Sequence, residues 1–153
     1  MFSNPAPDLK DKNTQRLILT TVSLASFLGM LDISIVNIAT PVIIRDWHIS
    51  IGYGSLILIS YLLTDAVLIM IMGSLADRYG FKKMLLNGMV IFCVGTILCG
   101  FAPDIDFLIG ARILQAVGAA MFSVVGPAVI TAHLPESVRG RSLGYLITFS
   151  AIG

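Results

Sequence analysis

From Met84 to Ala102 the chain carries no charged residue, whereas Asp77, Arg78, Lys82 and Lys83 fall within seven residues just before it. On the other side of these charges runs a second long apolar stretch, from about Tyr53 to Ala76. A bilayer core takes roughly 20 helical residues to cross. Two such runs joined by a short Lys- and Arg-rich segment read as a membrane hairpin whose turn faces the cytoplasm. Composition agrees: 56% of residues are hydrophobic and 12% charged, against about a quarter charged in soluble domains.

The predicted class is therefore all-α and membrane-embedded, with four spans at about 17–44, 53–76, 84–102 and 107–134 and the start of a fifth at 143–153. Residues 1–16 are polar, with Pro5 and Pro7, and read as a cytoplasmic tail. The first apolar run is too long for a signal peptide core. Lys and Arg number three in the tail, three in the Gly73–Leu85 turn and two at Arg139 and Arg141, against Arg45 alone on the opposite side. This asymmetry places the N-terminus inside. No basic aromatic patch for nucleic acid, no Cys/His metal spacing and no cofactor motif is present, and no nucleophile and base pair points to an enzyme. Cys93 and Cys99, six residues apart, lie about 240° apart around a helix, which argues against a disulfide.

Polar residues inside the spans are the functional candidates. A carboxylate in mid-membrane costs roughly 2.5 to 3.5 kcal/mol on insertion scales and marks a pathway or binding site by default. Asp32 and Asn37 lie in the first span, Asp65 in the second, Arg112 and Gln115 in the fourth. Arg112 and Gln115 are three apart and share a helix face. At ~1.5 Å per residue Asp32 stands about 22 Å above the inner face and Arg112 about 7.5 Å below the outer one, equal depths in a ~30 Å core. The two are expected to share one electrostatic site, and movement that separates them or dries the site would load a proton on Asp32. Asp65 stands about 18 Å above the inner face, as a second protonation site or a contact for a cationic substrate. Gly73 is expected to let a neighbouring helix approach, and Gly80 to take a positive φ. Pro41, Gly118, Gly126 and Pro127 are packing or kink positions; Gly126-Pro127 should bend the end of the fourth span. The third span reads as scaffold, with Gly88, Gly95 and Gly100 for packing.

Three strings carry a family resemblance. Gly-Ser-Leu-Ala-Asp-Arg-Tyr-Gly-Phe-Lys-Lys-Met-Leu, from Gly73, resembles the loop between helices two and three of the major facilitator superfamily, Gly-x-Leu-Ala-Asp-Arg-x-Gly-Arg-Lys-x-x-Leu, with Phe81 where Arg is usual. Leu31 to Pro41 resembles the first-helix motif of the fourteen-helix drug:proton antiporter branch, with Ser34 for Thr and Thr40 for Leu. Arg112 to Ala120 resembles the fourth-helix motif Arg-x-x-Gln-Gly-x-Gly-Ala-Ala, with Ala116 for Gly. The resemblance implies the N-terminal part of a transporter in the cell membrane. It also implies a gating role for the loop residues Gly73, Asp77, Arg78, Gly80, Lys82 and Lys83.

The expected function is proton-coupled efflux of hydrophobic or cationic compounds. Its partners would be the bilayer, protons, a small substrate and a C-terminal half outside these residues. A metabolite or sugar facilitator of the same superfamily is the alternative, as is a truncated chain that acts only in assembly.

Overall fold

The computed structural model describes residues 12–128 together with 140, 144, 147 and 148, with side chains from Thr20 onward in α1. Four helices follow one another: α1 (Lys12–Asp46), α2 (Ile51–Tyr79), α3 (Phe81–Gly100) and α4 (Ile105–Ser123). The described residues contain no strand. All four helices contain stretches long and apolar enough to cross a membrane, so the all-α, multi-pass reading holds. The tail up to Asp11, the end of the fourth predicted span, the Arg139 turn and the fifth span lie outside the described continuous segment.

Local chemistry sets the helix ends. Ser50 caps α2 by accepting from the Tyr53 backbone N–H at 3.2 Å, and Asp104 caps α4 by accepting from Phe107 N at 2.8 Å. Asp106 then sits in the first turn of α4, where the positive helix end favours an acid. Between α1 and α2 the chain reverses through exposed Trp47 and His48, the latter at φ 53°. Helix α1 runs unbroken through Pro41, which cannot donate to the carbonyl of Asn37. One residue earlier, Thr40 Oγ1 donates to Val36 O at 2.7 Å.

The structure corrects the sequence reading at the α2–α3 turn, which consists of one residue. Gly80 at φ 89° ends α2, donating to Ala76 O at 2.9 Å, and begins α3, accepting from Met84 N at 3.2 Å. Asp77 therefore lies in the last turn of α2, where the negative helix end disfavours it, and Lys82 and Lys83 in the first turn of α3, where the positive end disfavours them. Only Arg78 suits its helix end. The helix dipole therefore does not account for the placing of Asp77, Lys82 and Lys83. A Cβ on partly buried Gly73 would meet no described atom within 4 Å. The close approaches occur elsewhere.

Helices α3 and α4 meet backbone to backbone. A Cβ on Gly118 would stand 2.6 Å from Gly88 O, and one on Gly95 would stand 2.7 Å from the Cα of Gln115. Small residues at such crossings are how membrane helices gain dispersion contacts when lipid removes the hydrophobic drive. Gly100, by contrast, is open. Phe92 and Phe122 meet edge to face, centroids 5.3 Å apart, within a cluster with Ala25, Tyr61, Ala116 and Ala119. Ala116 is fully buried despite standing where the resembling motif has glycine. The regular run of α4 stops at Ser123, four residues before Pro127 and so at the carbonyl its ring would strike.

A candidate coupling site between four helices

The site is built on α4. Its buried face comprises Leu108, Ala111, Arg112, Gln115, Ala116, Ala119 and Phe122, the three- and four-residue spacing of one helical stripe. Two polar residues on that stripe, Arg112 at 1% exposure and Gln115 at 0%, are thereby carried into the bundle interior. Neither can be left unpaired there without a cost of several kcal/mol.

Asp32 of α1 meets both. Arg112 Nη1 donates to Asp32 Oδ2 at 2.7 Å, and Gln115 Nε2 donates to Asp32 Oδ1 at 2.8 Å. Arg112 Nη1 also donates to Gln115 Oε1. The Asp32 side chain is 14% exposed. Each carboxylate oxygen thus has its own donor, one charged and one neutral. Arg112 engages the acid through a single nitrogen, not the bidentate fork of the strongest pairs. Its Nε and Nη2 are buried without a hydrogen-bond partner, and its guanidinium carbon lies 4.3 Å from the centre of the Tyr61 ring. Stacking on an aromatic face holds a guanidinium in a dry place.

Two members of this cluster escaped the sequence reading. Tyr61 of α2 supplies the ring, and Thr96 of α3 accepts from Gln115 Nε2 at 2.7 Å while donating to Phe92 O at 2.9 Å. The signal for Thr96 lay in Gly88 and Gly95. Their seven-residue spacing marks the contact stripe of α3, and Thr96 adjoins the second of them. Cys99 is free, with its Sγ 3.8 Å from Gln115 Oε1, and Cys93 is free and exposed.

The remaining candidates lie apart. Asn37 is exposed, because five residues beyond Asp32 place it about 140° around the axis. Asp65 is partly buried on α2, and its Oδ1 is buried without a partner. Asp77 and Arg78 are exposed at the α2 end, where the Arg78 guanidinium lies 5.9 Å from the Tyr79 ring. Asp77 makes no ion pair among the described residues. Pro41 and Pro127 are exposed, whereas Gly118 and Gly126 are buried. Among the described residues no group of three or more His, Cys, Asp or Glu is placed to hold a metal.

Four helices long and apolar enough to cross a membrane enclose an Asp–Arg–Gln cluster, and comparison with known proteins names the family. The profile of the Major Facilitator Superfamily matches residues 22–153, and the chain belongs to that family of transporters. It is 38% identical over 141 residues to the multidrug resistance protein Stp of Mycobacterium tuberculosis, covering 92% of this chain and 26% of Stp. It is 36% identical over 135 residues to the putative multidrug resistance protein MdtD of Klebsiella pneumoniae, covering 88% of this chain and 29% of MdtD. It is also 30% identical over 137 residues to the riboflavin transporter RibZ of Clostridioides difficile, covering 90% of this chain and 30% of RibZ. The chain therefore spans under a third of the length of these relatives.

Proposed function

We propose that this chain forms part of the N-terminal half of a proton-coupled exporter of hydrophobic or cationic compounds, in which Asp32 carries the coupling proton and Arg112 is its counter-charge. The observation that carries the reading is the buried Asp32–Arg112 pair with Gln115 on the second carboxylate oxygen. An ion pair in the membrane interior costs desolvation that scaffolding alone does not require. Its single-nitrogen contact is one that a shift of α1 can break. With Arg112 close, the charge on Asp32 is balanced by the guanidinium; with Arg112 withdrawn in a dry cavity, that balance has to come from elsewhere. That alternation is what coupling to a proton gradient needs, and rocking between two halves about a mid-membrane site would supply it.

The same reading places the protein in the cell membrane with its N-terminus in the cytoplasm, on the strength of the Lys and Arg asymmetry. Asp77 is the proposed inner-face gate, accepting from a positive helix end or an Arg of a later helix. The names of Stp and MdtD favour drug efflux. The name of RibZ favours a second reading, transport of a metabolite.

The test uses full-length protein. Asp32→Asn should abolish substrate-induced proton release in detergent and pH-gradient-driven uptake in inverted vesicles, while substrate exchange without a gradient persists. Gradient-driven accumulation that survives Asp32→Asn removes the assignment. Competition of dye uptake by riboflavin, rather than by lipophilic drugs, would favour the metabolite reading.

A further inference from the structure

The stripe of α2 that faces the bundle contains Gly54, Ile57, Tyr61 and Ala76, all buried. Steps of three and four residues between Tyr61 and Ala76 fall on Asp65, Leu68 and Met72, each partly buried, while Leu62, Leu63, Ala66 and Val67 are exposed. Asp65 thus belongs to the inward face, one turn from the tyrosine that stacks on Arg112. Its Oδ1 is wholly buried, and neither Thr64 nor any other described residue hydrogen-bonds it.

Charge balance makes this position unusual. Asp32 is compensated by Arg112. The other described basic side chains are Arg45, which pairs with Asp46 beyond Pro41, and Arg78, Lys82 and Lys83 around the Gly80 turn. Arg78, thirteen residues along the same helix, is about 20 Å from Asp65. The described spans therefore hold one carboxylate in mid-membrane with no fixed cation to offset it. An acid of this kind marks a substrate, ion or proton pathway by default. Divalent metals take six or more oxygen ligands, and among the described residues no group of three or more His, Cys, Asp or Glu is gathered to begin such a set. The flanking residues Leu68 and Met72 suit a cation that is itself large and apolar.

We propose that Asp65 is the counter-charge for a hydrophobic organic monocation, a substrate-recognition role separate from the proton pair. The choice of ligand rests on the exporter reading above. Because the Arg112 guanidinium already lies over the Tyr61 ring, recognition depends on the carboxylate rather than on a cation–π contact with that ring.

Equilibrium binding of tetraphenylphosphonium and of uncharged triphenylphosphine to the full-length protein in nanodiscs tests this without any proton gradient. Failure of the Asp32 assignment therefore leaves the result unaffected. Asp65→Asn should weaken tetraphenylphosphonium at least about tenfold, the scale of losing a charge-assisted contact, with Asp65→Glu much closer to wild type and triphenylphosphine unchanged throughout. Unchanged tetraphenylphosphonium binding in Asp65→Asn overturns the proposal, as does equal weakening of both ligands, which would mean a packing role. A second measurement needs no variant: labelling of Asp65 by dicyclohexylcarbodiimide, read by mass spectrometry, should be suppressed by tetraphenylphosphonium and not by triphenylphosphine. Equal labelling with and without the cation also overturns it.

Discussion

Helices α4 and α1 are both long and apolar, yet 61% of the apolar window in α4 is buried within the bundle, against 6% of the corresponding window in α1. On α4 the apolar side chains face protein; on α1, Leu24, Met30, Ile35, Ile38 and Val42 are exposed. The Asp32–Arg112 bond joins these two unlike elements. Arg112 sits on the packed α3–α4 crossing and over the Tyr61 ring, whereas the acid is carried by the helix least buried among the described residues. Local motions draw on regions of few buried contacts, and among the described residues α1 is the helix with the smallest buried share.

The most damaging test of this contrast is Arg112→Ala. It strips a partly buried acid of its counter-charge and should cost up to about 3–5 kcal/mol, seen as loss of monodisperse protein after heating in detergent. Adding Asp32→Asn should recover much of that loss. No recovery would mean that Arg112 acts mainly by filling space on α4, and that α1 contributes nothing through it.

Smaller, and confined to the packed side, is Gly118→Ala. The new Cβ would press on the Gly88 carbonyl, a backbone atom that cannot turn aside, and overpacking of this kind costs about 1–3 kcal/mol. Gly110→Ala on the same helix, where a Cβ meets nothing within 4 Å, should stay within about 0.5 kcal/mol. Equal effects at the two glycines would break the claim that the α3–α4 crossing is the packed platform.

The mildest change is Thr96→Val, which removes the acceptor for Gln115 Nε2 at nearly constant shape. It should lower stability by about 1 kcal/mol. Transport should fall by more than that stability loss explains, because Gln115 would then be free to pivot away from Asp32. An unchanged turnover with lowered stability would assign Thr96 to packing alone.

The sequence by itself determined the class, since apolar runs of this length have no stable solution outside lipid. Single-residue chemistry was equally legible: Gly80 takes the positive φ that only glycine adopts without strain. Asp32, Arg112 and Gln115 were legible as candidates because polar groups in apolar runs stand out, and their agreement in depth followed from helical rise. Which faces meet was not legible. Rise fixes height, but rotation about each helix axis is set by packing against neighbours. So Asn37, close in sequence to Asp32, turns outward, while Tyr61 and Thr96, ordinary residues in apolar stretches, enter the cluster. For the same reason Gly88, Gly95 and Gly118 take the close contacts among the described residues, and Gly73 does not. Tertiary structure alone decided that the acid, the guanidinium and the amide form one hydrogen-bonded group, because only the packing of α1, α2 and α3 around α4 brings Asp32, Tyr61 and Thr96 within side-chain reach of Arg112 and Gln115.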